Sequence, residues 1–311
     1  DHRDLHSFPT RRSSDLKNNI SISMSIKKYI KRVGRYLLTG LPEQHVTANI
    51  IKLTPNNLLK GRNALITGGA SGIGYAIADA FLSSGASITI TGRDKKRLED
   101  SCSKLLLSHP KCKEQISFII MNNKDISSFK NIFEQHQHLQ KIDILVNNAG
   151  VQGGLITNTT EEEYDNILDT NLKGPFFLSK LVAQNMKNNN IKGNILNIAS
   201  SSSLRPGNSA YNLSKWGIRS LTLGLAKSLI PYGITVNGIA PGPTATPMLI
   251  KGEINDITHN NLPLGRFAMP EEIANMAVFL TSNLGQTVVG DIVYMTGGAG
   301  VITFDDLKYN F

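Results

Sequence analysis

Cysteine is scarce in this chain. Cys102 and Cys112 are the only two in 311 residues, too few for a disulfide framework. No second pair stands at metal-binding spacing, so a zinc site is excluded and the two read as reduced thiols. No stretch approaches the roughly 18 consecutive apolar residues that a membrane-spanning helix needs. Internal repeats and Pro-rich linkers are missing as well, which excludes a repeat array. The formal net charge is +9, but most of the chain has little charge of either sign to spare. Residues 1–16 contribute 0, residues 17–60 contribute +7, and everything after contributes +2. The body is nearly neutral, and a broad nucleic-acid footprint is excluded.

What is present is an ordinary soluble composition, 40% hydrophobic, enough for a sizeable core. From Gly61 onward, short apolar runs alternate with helical patterns. NALIT (63–67), ASITITG (86–92), ISFIIM (116–121), IDILVNN (142–148), GNILNIAS (193–200), GITVNGIAPG (233–242) and DIVYMTGG (291–298) read as strands. GIGYAIADAFLSSG (72–85), RDKKRLEDSCSKLLLS (93–108), SFKNIFEQHQHL (128–139) and about 209–230 read as helices. Near-continuous apolar strands alternating with helices imply a parallel sheet covered on both faces. The expected architecture is α/β: one doubly wound domain over 55–311, preceded by a basic arm at 17–54.

Strand NALIT runs directly into TGGASGIG (67–74) and a helix. Glycines let the backbone approach a pyrophosphate, and a helix N-terminus offers free N–H groups and partial positive charge. Gly68, Ser71, Gly72, Ile73 and Gly74 are the candidates here, although such a turn alone also serves as an ordinary tight turn. The next strand ends at Gly92, with no carboxylate for a ribose 2′-hydroxyl, and Arg93 follows. A guanidinium suits a 2′-phosphate, which favours NADP(H), with NAD(H) as the alternative. In NNAG (147–150), buried Asn side chains can tie strands together and Gly150 lets the backbone pass near a ring. In YNLSK, Tyr211 and Lys215 stand four apart, on one helical face. Taken singly, either motif is also consistent with a structural or surface role.

In this order, TGGASGIG, NNAG, YNLSK and the PG at 241–242 resemble the short-chain dehydrogenase/reductase family across about 60–300, and LPLGRFAMPEEIA (262–274) is similar to its late loop and helix. The resemblance implies a Rossmann fold and hydride transfer between a nicotinamide and a carbonyl or secondary alcohol. It implies Tyr211 as general acid–base and Lys215 as holder of the nicotinamide ribose. Ser200, the first of four successive serines, would donate to the substrate oxygen, with Ser201 the runner-up. Asn171 would hold a water in the proton relay. It further implies Asp125 and Ile126 at the adenine, Asn148 against the cofactor, and Pro241, Gly242, Thr244 and Thr246 around the nicotinamide and diphosphate. A free phenol titrates near 10, so Lys215 and an oxidised nicotinamide are expected to lower Tyr211; about three units of lowering needs roughly 4 kcal/mol. No metal is implied.

The family's substrates include 3-oxoacyl thioesters, sugars, steroids and small ketones, and its members are usually homodimers or homotetramers. Residues 248–261 are expected to form a lid. The competing readings are a non-catalytic cofactor-binding or scaffolding protein and a membrane-peripheral reductase. The latter rests on residues 24–37, a basic amphipathic pattern suited to packing on the body, or to an anionic membrane surface or acidic carrier protein. DHRDLHSFPTRRSSDL (1–16) is rich in Arg and Ser, but its three aspartates and missing amphipathic period argue against a transit peptide. It resembles, residue for residue, the translation of a DNA adapter used in short-read sequencing. It is therefore expected to be an assembly artefact, with Met24 as the native start and a cytoplasmic location.

Overall fold

The computed structural model describes Ala48, residues 51–250 and residues 256–302. The chain divides into residues 1–44 and 45–311, and every described residue belongs to the second unit. The adapter-like stretch and the amphipathic pattern at 24–37 lie outside the described residues.

The strands are β1 (Asn63–Thr67), β2 (Ser87–Gly92), β3 (Ile116–Ile120), β4 (Ile144–Asn147), β5 (Asn194–Ile198), β6 (Thr235–Pro241) and β7 (Ile292–Met295). They form one sheet in the order β3-β2-β1-β4-β5-β6-β7, every pairing parallel. The helices are α1 (Gly72–Ser83), α2 (Lys95–Ser108), α3 (Ile126–Gln135), α4 (Glu161–Leu168), α5 (Gly174–Asn188), α6 (Ala210–Leu229) and α7 (Pro270–Thr281). The order reverses between β1 and β4, and that switch point opens a crevice at the C-terminal ends of the strands.

The alternation of side chains along each strand builds two cores. Ile66, Ile90 and Val146 face one side, beneath Ile77 and Phe81 of α1, Leu98 of α2 and Val278 of α7. Their chain neighbours Leu65 and Leu145 face the other, with Ile195, beneath Phe129 of α3, Leu178 of α5 and Ala226 of α6. Phe81 is fully buried, a burial worth about 1.5–3 kcal/mol. The N-terminal edge of the sheet is fastened by Arg62, which pairs with Asp143 and donates to Asn194 Oδ1 at 2.6 Å. The opposite edge is left for the site.

A row of polar side chains crosses the second core. Asn147 Nδ2 donates to Ser179 Oγ of α5 at 2.9 Å and to Asn197 Oδ1 at 2.8 Å. Asn197 Nδ2 donates to Thr222 Oγ1 of α6 at 2.9 Å. All four residues are buried, so each bond replaces water that is not there.

The helix expected over 128–139 begins earlier and breaks at His136, whose φ of −113° and ψ of 81° leave the helical region. A short 3-10 turn, Gln137–Lys141, follows. The segment from α4 to α5, which the periodicity did not reveal, is one helical path interrupted by a π-turn at Asp169–Lys173, where Gly174 N donates to Asp169 O.

Candidate active site

The motifs gather at the C-terminal edge, around a cavity of about 280 Å³. Its wall includes Gly68, Ser71, Gly72 and Ile73 after β1, Arg93 after β2, and Asn148 after β4. Ser200 after β5, Tyr211 and Lys215 of α6, and Pro241, Gly242, Thr244 and Thr246 after β6 complete it. From β2 to β6 is four strand spacings, about 19 Å at 4.8 Å each, a length that suits an extended dinucleotide.

The glycine turn is shaped by exclusion. A Cβ on Gly74 would lie 2.4 Å from Asn148 Nδ2 and 2.5 Å from Gly68 O, so no side chain fits. Gly72 has φ +55° and opens α1 towards Thr246, whose methyl lies 3.3 Å from a Cβ built there. Asn148 fastens the turn, donating from Nδ2 to Thr67 O at 2.9 Å and Gly68 O at 3.1 Å. Ser101 of α2 supports it from outside, donating to Ala70 O at 2.9 Å. These groups leave a bare, backbone-lined cradle at a helix N-terminus, and the chain fits a dinucleotide there.

At the other end Ser200 and Tyr211 both line the cavity, the Ser200 hydroxyl near enough to act on the phenol. Ser200 Oγ also accepts from Ser202 N at 3.1 Å. Ser201, the alternative serine, is buried in the 3-10 turn Ser201–Leu204 and does not line the cavity. Lys215 is buried and donates from Nζ to Ile198 O at 2.8 Å, with Nζ 5.7 Å from the Tyr211 ring centroid. Burial pushes the Tyr211 phenol up, the Ser200 hydroxyl pulling the other way. Burial pushes Lys215 down to about 8. The expected lowering of Tyr211 is thus not a product of these walls. Desolvation favours the neutral form of both groups, and it outweighs a lysine whose hydrogen bond is turned to the sheet.

Asn171 sits in the π-turn, an irregularity found often at functional sites. Its side chain makes three hydrogen bonds: Oδ1 accepts from Val151 N at 2.8 Å, and Nδ2 donates to Val151 O at 2.9 Å and Ser214 Oγ at 3.1 Å. It stitches the loop after β4 to α6, and Oδ1 keeps a second lone pair.

Asp125 and Ile126 do not line the cavity. Asp125 is exposed, and its carboxylate accepts from Ser127 Oγ at 2.6 Å, which with Ser128 holds it below the usual carboxylate range. It caps the start of α3, and Asn122 and Asn123, directly after β3, form the wall in its place. The expected adenine contacts are thus not brought to the wall with the other candidates. Sequence reasoning also missed Val151, Gln152 and Pro247 on the wall. Only nearness to NNAG and PG pointed towards them. Met248 and Leu249 open the expected lid, of which residues 251–255 lie outside the described set. Among the described residues no cluster of metal-ligating side chains occurs.

A family profile described as Enoyl-(Acyl carrier protein) reductase matches residues 68–300. The 3-oxoacyl-(acyl-carrier-protein) reductase FabG of Thermotoga maritima is 36% identical over 247 residues, covering 77% of this chain and 98% of that protein. The 3alpha-hydroxysteroid dehydrogenase of Mediterraneibacter gnavus is 34% identical over 249 residues, 78% of this chain and 98% of that one. The crystal structure of a 3-oxoacyl-(acyl-carrier protein) reductase from Brucella melitensis superposes with a TM-score of 0.73 at 28% identity, covering 83% of this chain and all of that one. Site, sheet order and relatives agree over the same span: the chain belongs to the short-chain dehydrogenase/reductase family and is an oxidoreductase.

Proposed function

We propose that this oxidoreductase reduces an uncharged carbonyl with apolar flanks, of the 3-oxoacyl type, with NADPH preferred over NADH. The observation that carries the reaction is that Ser200, Tyr211 and buried Lys215 line the same cavity as the glycine turn. A bound nicotinamide supplies hydride chemistry. Tyr211 gives a proton to the carbonyl oxygen, and Ser200 donates a hydrogen bond to the same oxygen as negative charge develops. Ser202 N already serves one lone pair of Ser200 Oγ, which leaves the hydroxyl hydrogen to donate. Lys215, held by Ile198 O, faces the ribose side, and Asn171 fixes Val151 at the edge of the substrate space. Asn171 also holds the water of the proton relay.

The apolar preference rests on Val151, Pro247, Met248 and Leu249, contributed by the segments after β4 and β6, on either side of the strand that carries Ser200. Gln152 is the polar side chain among them, and among the described residues no cation other than Lys215 reaches that end for a sugar acid's carboxylate. The NADPH preference rests on Arg93, which lines the cavity after β2, three strand spacings from β5. A charge-assisted contact of about 1.5–3 kcal/mol would favour NADPH by roughly 10–100-fold.

The test is turnover of the purified full chain with NADPH and NADH against 3-oxoacyl thioesters, oxo sugar acids and simple ketones. Faster NADPH oxidation with the thioesters supports the reading. Preference for a sugar acid overturns the substrate class, equal use of NADH overturns the cofactor preference, and binding of NADPH without turnover of any substrate favours a non-catalytic protein.

A further inference from the structure

The segment between Ser200 and Tyr211 is short, and its geometry bears on how Ser200 is aimed. Ser201–Leu204 form one 3-10 turn with Ser200 as its N-cap. Ser202 N donates to Ser200 Oγ at 3.1 Å, and Ser203 Oγ donates to Ser200 O at 2.7 Å. The direction of the Ser200 hydroxyl is therefore set by where this turn sits.

The turn is held from α6 by two side chains outside the cavity wall. Trp216 Nε1 donates to Arg205 O at 2.7 Å, and Arg219 Nη1 donates to Ser203 O at 3.1 Å. Ser203 is fully buried, so its carbonyl has no water to replace that donor. The Arg219 guanidinium lies 5.2 Å from the Trp216 ring centroid and 6.0 Å from that of Tyr294, in cation–π range. The two braces follow Tyr211 and Lys215 on the same helix, so one rigid element carries the proton donor and grips the turn that aims its partner.

We propose that Trp216 and Arg219 are positioning residues for Ser200, acting through the Ser201–Leu204 turn. The proposal rests on the reading of Ser200 as the hydroxyl that binds the substrate oxygen.

The test places Trp216→Phe, Arg219→Met and Arg219→Lys in the wild-type and Ser200→Ala backgrounds. It measures kcat, KM for the carbonyl, NADPH affinity by calorimetry, and melting temperature. In the wild-type background Trp216→Phe and Arg219→Met are each expected to lower kcat about tenfold, the equivalent of one hydrogen bond. NADPH affinity stays unchanged, and Arg219→Lys recovers part of the loss because it keeps a donor. In the Ser200→Ala background neither lowers kcat further, since the group they position is gone. Trp216 is the only tryptophan, so its emission reports directly on the brace and is expected to shift to the red in Arg219→Met. Equal losses in both backgrounds, no loss in either, or a loss that tracks NADPH affinity overturns the proposal. If the Phe and Met variants fail to fold, Arg219→Lys carries the same two-background comparison. Wild-type kcat in Ser200→Ala alone overturns the reading of Ser200, and the positioning role with it.

Discussion

Replacing Lys215 by methionine removes a group that the proposed reaction uses, and it is expected to change the pH dependence of stability in a defined way. In the unfolded chain the lysine titrates near 10.5; in the fold burial pushes it down to about 8. Below about pH 8 both states hold the proton, and the fold carries the whole desolvation penalty. Between about 8 and 10.5 the folded side chain gives up its proton while the unfolded one keeps it, so the unfolded state binds more protons and wild-type stability rises with pH. The interval of about 2.5 pH units, at 1.36 kcal/mol each, corresponds to about 3 kcal/mol. Lys215 is only 5% exposed, so solvent screening takes little from this figure. Methionine does not titrate. Its loss of the bond to Ile198 O sets a constant offset and no slope. Urea unfolding of both proteins at several pH values between about 7 and 10.5 should show wild type gaining about 3 kcal/mol on the variant, with equal m-values. Parallel stability curves would refute the claim that a buried, destabilised ammonium stands beside Tyr211.

Arg93→Ser is expected to lower kcat/KM with NADPH by roughly 10–100-fold and to leave NADH turnover unchanged, measured with one carbonyl substrate. Gly74→Ala places a methyl group against Asn148 and Gly68 O, and overpacking of about 1–3 kcal/mol should appear as a lower melting temperature together with lost dinucleotide binding. Phe81→Ala should destabilise by about 3–5 kcal/mol in denaturant titration, because the cavity opens between β1, α1 and α7. Amplification of genomic DNA across the codons for residues 1–16 is expected not to return an intact DHRDLHSFPTRRSSDL reading frame; an intact frame would sink the adapter reading.

The seven strands were readable because each is a short apolar run ended by turn residues, and both faces of the sheet are covered. TGGASGIG, NNAG and YNLSK were readable for a different reason: their chemistry depends on local spacing. What escaped depends on distant contacts. The α4–α5 segment begins with the acidic Glu161, Glu162 and Glu163, the first two exposed, and passes through a π-turn, which breaks the 3.6-residue rhythm. Asp125 matched a pattern, but the end of β3 and the cap of α3 decide which residue meets the cavity. The Tyr211 shift could not be read from Tyr-x3-Lys, because desolvation is a property of the assembled walls. Trp216 and Arg219 follow YNLSK directly, yet only the folded turn shows what their donors reach.

The row from Ser179 through Asn147 and Asn197 to Thr222 has a consequence for how this site can vary. Asn197 lies just before Ser200 on the same chain path, and Thr222 lies about 16 Å along α6 from Tyr211. Their bond ties strand to helix like a pin through two rulers. A slip of β5 by one residue would turn the amides into the opposite, hydrocarbon core, so mismatched settings are strongly penalised. The pin sets β5 against α6, while the Ser201–Leu204 turn aims the hydroxyl between them. Substrate range can drift at the rim while the reacting centre keeps its calibration.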